Sequence, residues 1–181
     1  MKFLRKWGAL MVVLGVLAVG LGTLAWYTFR PVVLDPAKLT PAETVETFPG
    51  AELSLELNGA LINLTFSNRG DARLESGASV DGDRNLFFTG GLQVLLEGQW
   101  YEVPSEEYAT AGVGLELEPG DSVSGQYTLS PYGKLSDGQY RIAFGYWQST
   151  PSEDDPLLRQ PYHKSYARFD VKDGKYVAPE S

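Results

Sequence analysis

Cysteine is absent from the 181 residues, and histidine occurs once, at His163. Without a thiol the chain has no disulfide framework, no lipidated cysteine, no thiol nucleophile and no thiolate metal site. With a single imidazole, neither a zinc centre of the usual His/Cys type nor a blue-copper site can be assembled, and a Ser-His-Asp apparatus would rest on His163 alone. Acidic residues are missing from the beginning of the chain, where none of the 23 carboxylates precedes Asp35. Lys2, Arg5 and Lys6 open the sequence instead, and the other 12 of the 15 basic residues stand against all 23 acidic ones, a net charge of −11 for the remainder. A surface of that sign, without basic clusters, repels phosphate backbones and excludes nucleic acid as a partner.

Charge of either sign is also absent from residues 7–29, "WGALMVVLGVLAVGLGTLAWYTF". An apolar run of roughly 20 residues has the length of a bilayer-spanning helix. Trp7 at one end, with Trp26 and Tyr27 at the other, stand where interfacial aromatics anchor a span, and the basic opening assigns the amino terminus to the cytoplasm. Residues 1–6 are therefore expected to be a cytoplasmic tail, residues 7–29 a transmembrane signal anchor, and the rest extracytoplasmic. A cleaved signal peptide is the competing reading, since Ala18, Gly20, Thr23 and Ala25 are small. The length of the run, its bulky end and the lack of Ala-x-Ala favour the uncleaved anchor.

Residues 30–50 hold Pro31, Pro36, Pro41 and Pro49 and keep no period for long. This composition predicts a partly extended linker, with one short helical turn at "PAETVE" capped by Thr40, reaching on the order of 25 Å from the membrane.

From Ala51 the hydrophobic period becomes two. Leu53, Leu55 and Leu57 share one face of "AELSLEL", and Ile62, Leu64 and Phe66 share one face of "LINLTFSN", with Asn58-Gly59 as the hairpin signal between them. "DARLES" and "GLQVLLEGQWYEVP" read as strands, the second turning at Glu97-Gly98 before Trp100, and "GASVDGDRNLFFTGG" between them reads as a long loop or an extra hairpin. Val113, Leu115 and Leu117 alternate up to the Pro119-Gly120 turn, and Val123, Tyr127 and Leu129 follow. After Asp137-Gly138, Tyr140, Ile142, Phe144 and Tyr146 line one face while Arg141 points to the other. A tyrosine placed as Tyr140 is, at the start of a late strand, fits a tyrosine corner. "SYARFDVKDG" supplies a last strand with Ala167, Phe169 and Val171 inward. The pattern predicts an all-β Greek-key β-sandwich of about seven to nine strands over residues 51–175, preceded by one transmembrane helix and followed by a disordered tail at 176–181.

Several of these motifs, "LTFSN", "LLEGQWYEVP", "LEPG" and "YGKLSDGQYRI", resemble a bacterial immunoglobulin-like domain family found in membrane-anchored and secreted proteins. The resemblance covers residues 51–147, and the segment from Asn68 to Gly91 is longer than a compact member needs. It implies an immunoglobulin-like sandwich and an extracytoplasmic place, and it brings no catalytic residues.

Chemistry is sparse. "DGDRN" at 81–85 offers oxygen ligands at alternate positions, but Leu86 and Leu92 stand where a calcium loop needs Gly and Glu. "SEDDP" at 152–156 is a second acidic loop. "RGD" at 69–71 reads as a turn after a strand, and the "NLT" sequon at Asn63 falls within a strand. No pair of carboxylates is spaced so as to mark acid/base catalysis. The sequence thus implies no catalytic residue, cofactor or metal. It gives Tyr140, Gly138, Trp100, Pro119 and Gly120 structural roles, and it makes Tyr146, Trp147 and Tyr162 the candidate binding surface, beside the long connection between the last two strands. The expectation is a non-catalytic domain that binds or scaffolds another envelope protein or cell-wall component. The alternatives are a secreted protease inhibitor or a cell-wall hydrolase using paired carboxylates.

Overall fold

The computed structural model describes residues 15–21, 34–59, 61–81, 85–106, 111–149 and 162–179. The chain divides into two compact units, Met1–Val32 and Val33–Ser181. Of the first, residues 15–21 are helical, with Val16, Leu17, Val19 and Leu21 exposed. Among the described residues no helix is long and apolar enough to cross a membrane, and the rest of the expected span lies outside them.

The second unit is all-β. Among its described residues eleven strands run β1 (Ala51–Asn58), β2 (Leu61–Asn68), β3 (Leu74–Val80), β4 (Leu86–Phe88), β5 (Leu92–Leu96), β6 (Gln99–Glu102), β7 (Ala111–Leu117), β8 (Ser122–Tyr127), β9 (Gly138–Gln148), β10 (Tyr162–Lys172) and β11 (Lys175–Val177). This exceeds the expected seven to nine because β4 and β11 have only three residues each, too few for an alternation to show. The segment read as a loop or hairpin after "DARLES" is β3 turning into β4, and β11 carries the folded domain to Val177.

One layer is β1-β2-β8-β4, in which β4 and β8 are parallel and the other pairs antiparallel. The other is β6-β5-β9-β10-β11. β3 joins them: Leu74–Ser76 pairs with Gln148–Tyr146 of β9, Ser79–Val80 pairs with Phe87–Leu86 of β4, and its other edge carries β7. Changing layers within one strand links the two layers on that side, where β7, paired with β3, is the edge strand among the described residues.

Alternation dictates the core. Ile62, Leu64 and Phe66 of β2 are at most 1% exposed and meet Tyr140, Ile142, Phe144 and Tyr146 of β9 across the layers. Phe66 packs against Phe144 at 4.7 Å and Tyr146 at 4.9 Å between ring centroids, and Phe88 meets Phe144 edge-on at 5.3 Å. Each such ring contributes roughly 1.5–3 kcal/mol by leaving water. At the end of β2 the fully buried Asn68 donates through Nδ2 to the carbonyls of Ala72 and Leu117, while its own carbonyl accepts from Gly120. The Pro119-Gly120 turn is thereby tied to the β2–β3 turn, and Gly120, at φ 95°, supplies the left-handed conformation it needs.

Candidate functional site

The segment before β1 differs from the extended linker with a turn at 41–46. Its only 3-10 turn among the described residues is Pro36–Lys38, capped by the Asp35 side chain on Ala37 N, because Asp35 precedes a proline suited to the first helical position. From Thr40 the backbone bonds to the sandwich. Ala42 N donates to Trp100 O, Glu102 N donates to Thr40 O, and Pro41 bridges Tyr101, which adds a short edge segment to β6. Farther on, Lys164 N donates to Glu46 O and Thr47 Oγ1 donates to Lys164 O, on β10. As β6 and β10 are separated by β5 and β9, residues 40–47 form a strap across the outer face of this layer.

Beneath the strap lies Arg141, only 6% exposed. Its guanidinium stacks on the rings of Trp100 at 4.3 Å and Tyr166 at 4.2 Å. Nε donates to Gln93 Oε1 at 2.6 Å, Gln93 Nε2 donates to Glu102 Oε1 at 2.7 Å, and Nη2 is buried with no hydrogen-bond partner. Burial pulls the arginine below its usual pKa, yet a guanidinium stays protonated, so the aromatic faces and Glu102 balance its charge. The Tyr166 hydroxyl in turn bonds both the N–H and the carbonyl of Val45, at 3.2 Å each.

Beyond this stack the outer face opens. β9 changes partner along one edge, from β5, which ends at Leu92↔Ile142, to β3, which begins at Ser76↔Tyr146. Between them Ala143 N donates to Gly91 O and Ser76 Oγ donates to Gly145 O. A cleft of about 520 Å³ occupies the gap, its inner end at Phe88, Tyr127 and Phe144 and its mouth at Glu102, Trp147, Tyr162 and Lys164. Trp147 and Tyr162 are cross-strand partners with centroids 5.2 Å apart at 51°, each 43% exposed. Gly145 makes this possible, because a Cβ there would overlap the Tyr162 hydroxyl. Lys164 Nζ lies 5.9 Å from the Tyr162 ring centroid.

Of the three candidate surface residues, Trp147 and Tyr162 meet and Tyr146 does not. Tyr146 is fully buried on the inward face, and its hydroxyl accepts from Phe48 N at 2.9 Å and from Ser165 Oγ at 3.2 Å. The period of two that puts Tyr140 inside puts Tyr146 inside as well. Trp100 lies on the outer face, under Arg141. The Tyr140 hydroxyl donates to Ser136 O at 2.9 Å, and Gly138 begins β9 beside its ring. His163 faces Tyr146 and Phe48, with Nδ1 3.2 Å from Glu46 O. In the first acidic loop both Asp81 carboxylate oxygens accept from Asn85, through its backbone N–H and its side-chain amide. Residues 82–84 and the acidic stretch 152–155 lie outside the described residues. Arg69 of the "RGD" turn pairs with Glu52 at 3.1 Å. No group of three or more His, Asp or Glu side chains that could hold a metal occurs among the described residues. Tyr166 and Gly145 fall in none of the resemblance motifs and Gln93 precedes one; Arg141 lies within "YGKLSDGQYRI", but alternation puts it on the outer face and goes no further.

Two packed layers and a tyrosine bonded back to the chain before its own strand define a β-sandwich of the immunoglobulin-like class. The model of the bacterial Ig-like domain family matches residues 52–150, more than half of the chain, and the chain belongs to that family. The match ends before β10, so Tyr162, Lys164 and Tyr166 lie outside it. Neither a curated protein nor a solved structure matches the chain.

Proposed function

We propose that this chain is a membrane-anchored, extracytoplasmic immunoglobulin-like domain that binds another component of the bacterial envelope and catalyses nothing. The observation that carries the reading is the Trp147–Tyr162 pair, two large rings left exposed at the mouth of a cleft in an otherwise alternating surface. Solvent-exposed aromatics grouped beside a concavity mark recognition sites more than stability. The anchoring rests on the uncharged run at 7–29 with its basic amino-terminal flank. Membership of an immunoglobulin-like family supports a binding role.

Cross-linked pull-down of the full-length protein from native membranes, with the membrane-retained fraction measured in the same preparation, tests the proposal. A retained protein that captures a specific envelope component supports it. A processed protein in the medium with no membrane partner overturns it in favour of the secreted inhibitor.

A further inference from the structure

The cleft combines features that select among ligand chemistries. Among the described residues its mouth carries one cation, Lys164, and one anion, Glu102, so these residues give it no excess charge with which to hold a strongly ionic ligand. The acidic balance of the chain disfavours phosphate-rich polymers in addition. Trp147 and Tyr162 give it an aromatic wall, and Gly145, having no side chain, lets that wall lie close to the backbone of β9. Among the described residues, Lys164 Nζ and the Tyr162 hydroxyl make no hydrogen bond, and one oxygen of Glu102 is free after the other accepts from Gln93. These groups supply two donors and an acceptor around an apolar surface.

A purely apolar peptide side chain would use the rings and leave those polar groups unmatched, which costs affinity. A pyranose ring presents an apolar face of C–H groups and a rim of hydroxyls that both donate and accept. It satisfies the rings and the polar groups together, and a volume of about 520 Å³ lies within the range of small-ligand sites.

We infer that the cleft between β3 and β5, walled by Trp147 and Tyr162, binds a sugar ring of an envelope glycan. The inference rests on the envelope-binding reading above and narrows its ligand. Tyr162 stacks, Lys164 and the Tyr162 hydroxyl donate to ring hydroxyls, and Glu102 accepts from them.

The test is co-sedimentation of detergent-solubilised full-length protein with purified peptidoglycan sacculi, with soluble N-acetylglucosamine tetramer as competitor. Wild type is expected to pellet and to be released by the tetramer. Trp147→Ala is expected to weaken retention about tenfold, as loss of an anchoring ring does. Tyr162→Phe, which keeps the ring and removes one hydroxyl, is expected to weaken it a few-fold with an unchanged melting temperature. Wild type left in the supernatant overturns the glycan ligand. Equal retention of all three proteins overturns the site. A membrane pull-down that still captures a protein through Trp147, with no sedimentation on sacculi, overturns the sugar while leaving envelope binding in place.

Discussion

Tyr140 and Ser136 are joined by a hydrogen bond of 2.9 Å from the phenol to the backbone carbonyl four residues upstream. The bond turns the chain from the loop after the Ser130–Tyr132 turn into β9, and the ring, fully buried, stacks on Phe169 of β10 with centroids 5.7 Å apart. One side chain therefore fixes both a corner and the pairing of the two longest strands.

Tyr140→Phe keeps the ring and its packing and removes only the hydroxyl. It is expected to lower stability by about 1 kcal/mol with the fold intact. Thermal melts of the detergent-solubilised wild type and variant check this; identical melting temperatures would show that the bond contributes nothing.

A second phenol predicts alkaline sensitivity. Tyr127 donates to Gly90 O at 2.8 Å, and its oxygen lies 3.4 Å from the Tyr132 hydroxyl. Burial, with Tyr132 beside it, pushes its pKa well above the ordinary value. The unfolded chain loses this proton near pH 10 and the folded chain holds it longer, so the stability it contributes is intact below about pH 10 and declines above it. Tyr127→Phe should flatten that decline in denaturant titrations between pH 9 and about 11. A slope unchanged by the substitution would assign the decline to other groups.

The inward residues of the long strands were legible because period two is a property of neighbours in sequence: Leu64 and Phe66, or Ile142 and Phe144, declare their face locally. The outer face was not. Arg141 is buried because Trp100, Tyr166 and the strap converge on it from segments 25 to 101 residues away, and backbone bonds such as Ala42 N to Trp100 O leave no mark on side-chain type. Of the linker prolines, Pro36 opens the 3-10 turn, Pro49 lies in the turn before β1 and only Pro41 stands in a backbone bridge, and a proline at such a position is equally suited to a free tether and to an edge segment docked on β6. The cleft escaped notice for a related reason: Gly145 reads as a weak point in a strand until Tyr162 is seen lying across it.

Strap docking is testable through Tyr166, whose hydroxyl bonds both backbone groups of Val45. Tyr166→Phe keeps the ring under Arg141 and frees Val45. Amide hydrogen exchange across residues 40–47 is expected to accelerate several-fold, with β2 unaffected, since local opening need not involve the core. Equal exchange in the two proteins would mean that the bonds to β6 and β10 hold the strap by themselves.

Two adjacent glycines separate backbone conformation from close approach at the cleft. Gly90 and Gly91 both have left-handed φ, 81° and 69°, which a side chain tolerates at roughly 1–2 kcal/mol. A Cβ on Gly90 would meet nothing within 4 Å, whereas one on Gly91 would overlap the carbonyl oxygen of Ala143, and backbone cannot rotate away as a side chain can. Gly90→Ala should therefore cost only the conformational term. Gly91→Ala must also push β5 from β9 and break the Ala143 N to Gly91 O bond, for a total on the order of 3–4 kcal/mol. Chemical denaturation of the two variants measures the difference directly. If Gly91→Ala proves no worse than Gly90→Ala, the closeness of β5 and β9 is not what shapes the cleft's inner wall.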